Sequence, residues 1–262
     1  MKGEHNMKSV KPKNGFSTSV LVKAALLAAV SIILTRFFSY MIPIGGMPAL
    51  RIGFGNIPLI IAGMMLGPLV GGVVGVISDL VGFMINPMGG MFFPGFTLTA
   101  ALYGIISGIL FQNLKIHKSK INFNYINAIL MVLFAGGILM LMMTTDVIVF
   151  SEGALRFNDT SAMPILILMA LVTALFVVLP FAISSRFKHL EQTIKFDKIA
   201  FTVSITYVFN ALFLNTLWLS MMLDKGFIAL LPGRIIASVV TIPIYSWIIY
   251  TLSKVMNLTS EN

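Results

Sequence analysis

From Val20 to Leu252 the chain is a succession of apolar runs, mostly ~20 residues long, separated by short polar or Gly/Pro-containing segments. Such a run, made helical, spans the ~30 Å hydrocarbon core of a bilayer and satisfies its own backbone hydrogen bonds there. Hydrophobic residues make up 58% of the 262 positions and charged ones 10%, against ~45–50% and ~25% in ordinary soluble domains. A soluble enzyme and a disordered chain are thereby excluded, and an all-α polytopic membrane protein is the expected fold class. With no cysteine among the 262 residues, disulfides, thiolate metal sites and cysteine nucleophiles are excluded as well.

The predicted spans are Val20 to about Tyr40, Ile57–Phe83, Phe96–Phe111, Ile126–Phe150, Pro164–Ser184, Ala200–Leu223 and Leu230–Leu252. The first is too long for the apolar region of a cleaved signal peptide and lacks a small-residue cleavage site. As one helix Ile57–Phe83 would be ~40 Å long, too long for one crossing, and Gly67-Pro68 interrupts its middle, where proline removes a helical hydrogen bond. Charge parity agrees. The N-terminal tail with Lys23 carries five basic residues, and the loop after Phe111 carries Lys115, Lys118 and Lys120. The positive-inside rule puts both in the cytoplasm, so an even number of crossings separates them and Ile57–Phe83 is two short spans hinged at Gly67-Pro68. Eight spans result, with both termini cytoplasmic. Thirteen of the 18 Lys and Arg then lie inside and five outside: Arg36, Arg51, Arg156, Lys225 and Arg234.

No phosphate-cradling G-x-x-x-x-G-K-[ST] loop occurs, so ATP hydrolysis by that route is not expected. His5, His117 and His189 fall in tails or loops, and no Glu falls inside a span, which leaves little for an intramembrane metal site or carboxylate relay. No nucleophile–base pair suggests an enzyme. Charges at the outer span ends are more informative, since ionisable groups at membrane depth are costly. Arg36 and Lys225 read as interfacial snorkelling side chains. Asp224 sits with Lys225 in the short loop before the last span. Arg51 and Arg234 are embedded in Gly/Pro-containing apolar entry segments, and Asp79 lies toward the outer end of the third span.

Three outer segments, Phe37–Asn56, Asn86–Phe96 and Asp224–Arg234, combine aromatics with turn residues. Their Phe side chains offer flat apolar walls to a planar ligand. Asn215 and Trp218, at i, i+3, share a helix face, and an Asn amide offers two donors and two acceptors to the edge of a heterocycle or to a neighbouring helix. Gly71-x-x-x-Gly75 and Gly104-x-x-x-Gly108 point to internal close packing. Ala24, Ala25, Ala28 and Ala29 form a smooth stripe on the first span, for packing within the chain or against another subunit.

Five segments, in order, resemble the folate-family substrate-binding (S) component of energy-coupling factor (ECF) vitamin transporters. They are Leu50–Gly55 (L-R-I-G-F-G), Leu66–Asp79 (L-G-P-L-V-G-G-V-V-G-V-I-S-D), Phe93–Ala101 (F-P-G-F-T-L-T-A-A), Leu214–Leu219 (L-N-T-L-W-L) and Leu230–Arg234 (L-L-P-G-R). The resemblance implies a helical bundle that binds a vitamin from outside under a lid of outer loops. It carries no cofactor and no ATPase of its own, and joins one transmembrane coupling subunit and two cytoplasmic ATPases in the plasma membrane. The alanine stripe matches the family's coupling-subunit contact. Folate, or a related pterin vitamin, is the expected ligand, with Arg51, Asn215 and Arg234 as polar contacts and Phe54, Phe93, Phe96 and Trp218 as walls. Asp79 is a lower-ranked ligand contact, its other role being to pair with an Arg and fix its rotamer. The Gly89-Gly90 loop would be part of the lid. The family has six spans; here Gln112 to about Lys198 adds two.

The expected organisation is a cytoplasmic tail (1–19), spans one to four (20–112), an inserted segment with two spans (113–199), the last two spans (200–254) and a second tail (255–262). Two other readings stay open: an S component for thiamine, riboflavin or pantothenate, and an ion-coupled secondary transporter using Asp79 or Asp146. Partners are a folate-like molecule, the ECF subunits and lipid, with no nucleic acid.

Overall fold

The computed structural model describes residues 17–256 except 45–46, 88–90, 145–147, 152–153, 158–159, 187–194 and 225. Most of both tails (1–16 and 257–262), His5, His189, the Gly89-Gly90 tip, Asp146 and Lys225 therefore lie outside the described residues. Among those described, eight helical segments follow one another. They are α1 (Thr18–Arg36), α2 (Asn56–Leu66), α3 (Pro68–Ile85), α4 (Pro94–Gly108) with a π-helical end (Ile109–Asn113), α5 (Phe123–Thr144) and α6 (Met163–Arg186). The last two are α7 (Phe196–Tyr207), continued by a π-helical stretch (Val208–Leu214) into α8 (Asn215–Leu223), and α9 (Phe227–Met256). Among the described residues five stretches are long and apolar enough to cross a membrane: Thr18–Arg36, Pro68–Ile85, Pro94–Lys118, Phe123–Thr144 and Phe196–Leu223.

The break at Gly67-Pro68 is local chemistry. Gly67 adopts φ +90°, a left-handed value that glycine reaches without strain, and Pro68 opens α3, where its missing N–H costs nothing. Gln112 closes the hinge from the end of α4: its Nε2 donates to the carbonyls of Met64 (3.1 Å) and Met65 (2.7 Å), two of the acceptors that the end of α2 leaves open.

Helices α2, α3 and α4 pack through glycine. A methyl on Gly104 would stand 2.2 Å from the Gly71 carbonyl oxygen, and one on Gly75 would stand 2.2 Å from that of Ala100. Both small-residue motifs thus serve internal contact, and the backbones approach as close-packed membrane helices do. Because overpacking costs ~1–3 kcal/mol or more, Gly104→Val is expected to lower the apparent Tm in detergent by ~5 °C or more. An unchanged melting curve would show that α3 and α4 do not meet here.

The apolar pattern runs past the helices at several ends. α1 stops at Arg36, and Ser39–Ile44 (β1) pairs antiparallel with Met47–Gly53 (β2), placing Arg51 opposite Met41. α5 stops at Thr144, and Val149–Ser151 (β3), Ala154–Phe157 (β4) and Thr160–Ser161 (β5) form a small meander before α6. Apolar, β-branched residues suit strand and helix alike, so hydropathy alone overran both ends. α7 begins at Phe196 and buries Asp197 and Lys198, which the hydropathy reading left in a loop. The pair is neutralised internally. Lys198 Nζ lies 3.2 Å from Asp197 Oδ2 and 4.2 Å from the centroid of Phe123, and donates to the Ile121 carbonyl. Asp197 Oδ2 in turn accepts the Phe123 N–H at 2.9 Å, fastening the start of α5 to α7.

α1 packs on α2 and α3, whereas α5 and α6 pack on each other and on α7 and α9. α5 and α6 accordingly flank the bundle on the side of α7 and α9.

Candidate ligand-binding cavity

Between the helices lies a cavity of about 450 Å³, within the range of small-molecule sites. Its floor is made where α2 begins. There Gly55 packs against Thr35 near the end of α1, and Gly53 against Ser39 of β1. Ser31 of α1 donates to the Gly55 carbonyl at 2.8 Å, and Tyr245 of α9 donates to the Gly53 carbonyl and hydrogen-bonds Asn56. Tyr207 hydrogen-bonds Thr241 and stands edge-on to Tyr245, ring centroids 5.8 Å apart. Tyr103, 1% exposed, completes this tyrosine floor. Its hydroxyl and the Asn215 Oδ1 are buried with no hydrogen-bond partner among the described residues. Such atoms are costly unless something in the cavity meets them.

The rim comprises the ends of α1, α3 and α8 and the segment before α4. Arg36 was expected to snorkel; instead it turns inward, its side chain 3% exposed, and lines the cavity. Its Nη1 donates to the Asn86 carbonyl at 3.0 Å, and its Nη2 faces the Asp79 carbonyl (3.3 Å) and Asp79 Oδ1 (3.5 Å). Asp79 Oδ2 accepts from Thr97 Oγ1 at 2.7 Å, so one carboxylate joins α1, α3 and α4. Gly82 makes the room, since a methyl there would stand 2.8 Å from Arg36 Nε. Asp79 therefore has an arginine partner, and that partner is Arg36.

Arg234 lines the opposite wall, its Nη1 donating at 2.9 Å to the carbonyl of Ala211 in the π-helical stretch. Asn215 follows that stretch and lines the cavity as well. Phe93 and Phe96 stand edge-on at 5.8 Å and both line it. Trp218 stands behind them, 5.9 Å from Phe93, its indole N–H held at 3.1 Å by Thr99 Oγ1; it supports the wall instead of forming it. Phe54 lies outside the lining, 41% exposed, its ring 6.4 Å from Tyr245. Arg51 is placed only by its strand register, its side chain lying outside the described residues. Asp224 is exposed in a left-handed turn at the end of α8.

The structure thus brings together Asp79, Phe93, Phe96, Asn215 and Arg234 of the sequence-predicted set. It adds Arg36, Asn56, Tyr103, Tyr207 and Tyr245. The signal for the tyrosines was present in the sequence, because a hydroxyl within an apolar span needs a partner. Arg36 had no such signal, since its room comes from a glycine 46 positions away. Chemically the cavity offers an aromatic slot, hydrogen-bonding groups at its floor, and two guanidiniums against one carboxylate in its described lining.

The description of the family "ECF transporter, substrate-specific component" matches residues 19–158. The folate transporter FolT of Clostridium novyi (strain NT) is 43% identical over 103 residues, 39% of this chain and 56% of that protein, so the match spans about half of that relative's length. Among solved structures, FolT bound with folic acid superposes with a TM-score of 0.53, covering 90% of this chain and 94% of that one at 20% identity, a likeness of fold. With more than half of its length matched by the family description, this chain belongs to the substrate-specific components of ECF transporters, polytopic membrane proteins that bind rather than transform what they carry.

Proposed function

We propose that the chain binds folate, or a closely related pterin, from the outer side of the plasma membrane and passes it to an ATP-driven ECF module. One observation carries the reading: a slot of about 450 Å³ that combines aromatic walls, unmatched hydrogen-bonding atoms at its floor and an excess of guanidinium. Folate asks for these groups, having a flat heterocycle with donors and acceptors on its edge, an aromatic linker and two carboxylates. The similarity to FolT supports the same choice. The pterin lies on the tyrosine floor, where Tyr103 and Asn215 meet its edge. The glutamate tail runs toward the rim and Arg36. Arg51, on the hairpin, contributes from the same end. Both termini are cytoplasmic, in line with the charge distribution among the loops. The coupling subunit and two ATPases supply the energy, and the exposed Ala25 and Ala29 of α1 form the contact. Ala28 is buried in the core and Ala24 is half-buried.

The test is a thermal-shift screen of the purified protein. Ligand at ~100 times its dissociation constant stabilises by ~2.7 kcal/mol. Folate is expected to raise the apparent Tm by several degrees, and thiamine, riboflavin and pantothenate to leave it unchanged. A shift from one of those three and none from folate would overturn the assignment.

A further inference from the structure

The α5–α6 pair is not needed to enclose the cavity, yet it packs directly behind one wall of it. Leu212, in the π-helical stretch, lines the cavity and also a separate void of about 30 Å³ on its far side. The wall is one side chain thick there. The void is bounded by Met131, Ala135 and Ile138 of α5, Thr173 of α6 and Ile235 of α9. Thr173 donates its hydroxyl to the Met169 carbonyl at 2.8 Å, and the other side chains around the void are apolar.

Toward the rim the contact becomes continuous. Ile138 and Met142 of α5, Ile148 and Ala162 beside the meander and Leu231 of α9 form one buried cluster, with Ile235 packed against it. Leu231 and Ile235 bracket Arg234, whose guanidinium is bonded to Ala211, the residue before Leu212. π-Helical segments are loosely wound and recur at functional sites. This one packs on α4 and α9, but without α5 and α6 its remaining face would meet fluid lipid, which offers no fixed packing partner. A binding site needs its polar atoms held to about half an ångström.

We propose that the α5–α6 pair is a positioning element for the ligand site: by backing the wall at Leu212 and Ile235 it fixes where Ala211 and Arg234 stand. The proposal rests on the reading of the cavity as the folate site. Ile138 is a positioning residue in this scheme and touches no ligand. Removing its side chain to Cβ widens the void and lets the π-helical stretch and Arg234 relax away from the cavity.

A double-mutant cycle on the purified full-length protein tests it. Ile138→Ala is expected to weaken folate binding about fivefold or more. In an Arg234→Lys background the same change is expected to cost less than about twofold, since the residue it positions is already gone. Ile138→Leu should restore wild-type affinity, and Ala135→Val, which fills the void, should stay within about twofold of it. Should Ile138→Ala fail to fold, Met169→Ala, which packs on the same cluster from α6, replaces it. A second arm needs no ligand. In this cysteine-free chain, Asn215→Cys reports on the cavity through its labelling rate with a water-soluble maleimide, and Ile138→Ala is expected to raise that rate at least about threefold.

Equal losses in both Arg234 backgrounds, or unchanged binding together with unchanged labelling, would overturn the proposal. Failure of the wild-type protein to bind folate would remove the folate reading, and the labelling arm alone would then decide the role of α5–α6.

Discussion

Replacing Arg36 by Gln is expected to weaken folate binding at least about tenfold while changing the affinity for pteroate, folate without its glutamate, less than about threefold. A hydrogen bond to a charged group is worth ~1.5–3 kcal/mol, or roughly ten- to a hundredfold in affinity. Arg36 makes such bonds poorly to Asp79, whose carboxylate oxygen stands 3.5 Å away, and an incoming carboxylate competes well for the guanidinium. The substitution also acts on the fold. It leaves the Asp79 carboxylate, 19% exposed, with Thr97 as its described side-chain partner, and breaking a buried pair from one side costs ~3–5 kcal/mol. The comparison between ligands separates the two effects. Loss of stability lowers both affinities alike, whereas a contact to the glutamate appears with folate alone. Calorimetric titration of both ligands gives the ratio, and equal losses would place the glutamate elsewhere. Arg36→Lys keeps the charge but not the planar fork and is expected to fall between.

Much of this site was legible because membranes impose strict arithmetic. Ile57–Phe83 was too long for one crossing and Gly67-Pro68 stood in its middle, so the short α2 followed from length and charge parity. Asn215, Arg234, Phe93 and Phe96 stood out as polar or aromatic residues in segments with no other need for them. Asp79 was legible as the partner of an arginine. That arginine was not, for Arg36 at a helix end has the same local signature whether it snorkels or turns inward; Gly82 on α3 decides, and no local pattern connects the two. Lys198 was misread for a related reason. Hydropathy weighs a lysine alone, while Asp197, the Ile121 carbonyl and the Phe123 ring make its burial tolerable. The side on which α5 and α6 attach was equally hidden, because apolar faces turned to lipid and to protein have the same composition.

Placing Trp at both Ala25 and Ala29 is expected to abolish folate uptake by cells that carry the complete transporter, while the purified variant binds folate within about twofold of wild type. The two alanines lie on the exposed side of α1 with Val22, Leu26 and Ile33, about two and three turns from Arg36 and on the face turned away from α2 and α3. Small residues there let a second helix come close, and an indole on each would hold it several ångströms away. Neither residue lines the cavity, so ligand binding has no reason to change. Ala28 serves as the control. Buried in the core, its carbonyl facing Ser78 Oγ at 3.5 Å, it should lose stability and binding together when enlarged. α5 and α6, on the side of α7 and α9, leave this face of α1 uncovered among the described residues. Uptake that survives both tryptophans would move the coupling contact off α1, and binding lost along with uptake would place the stripe inside the ligand site.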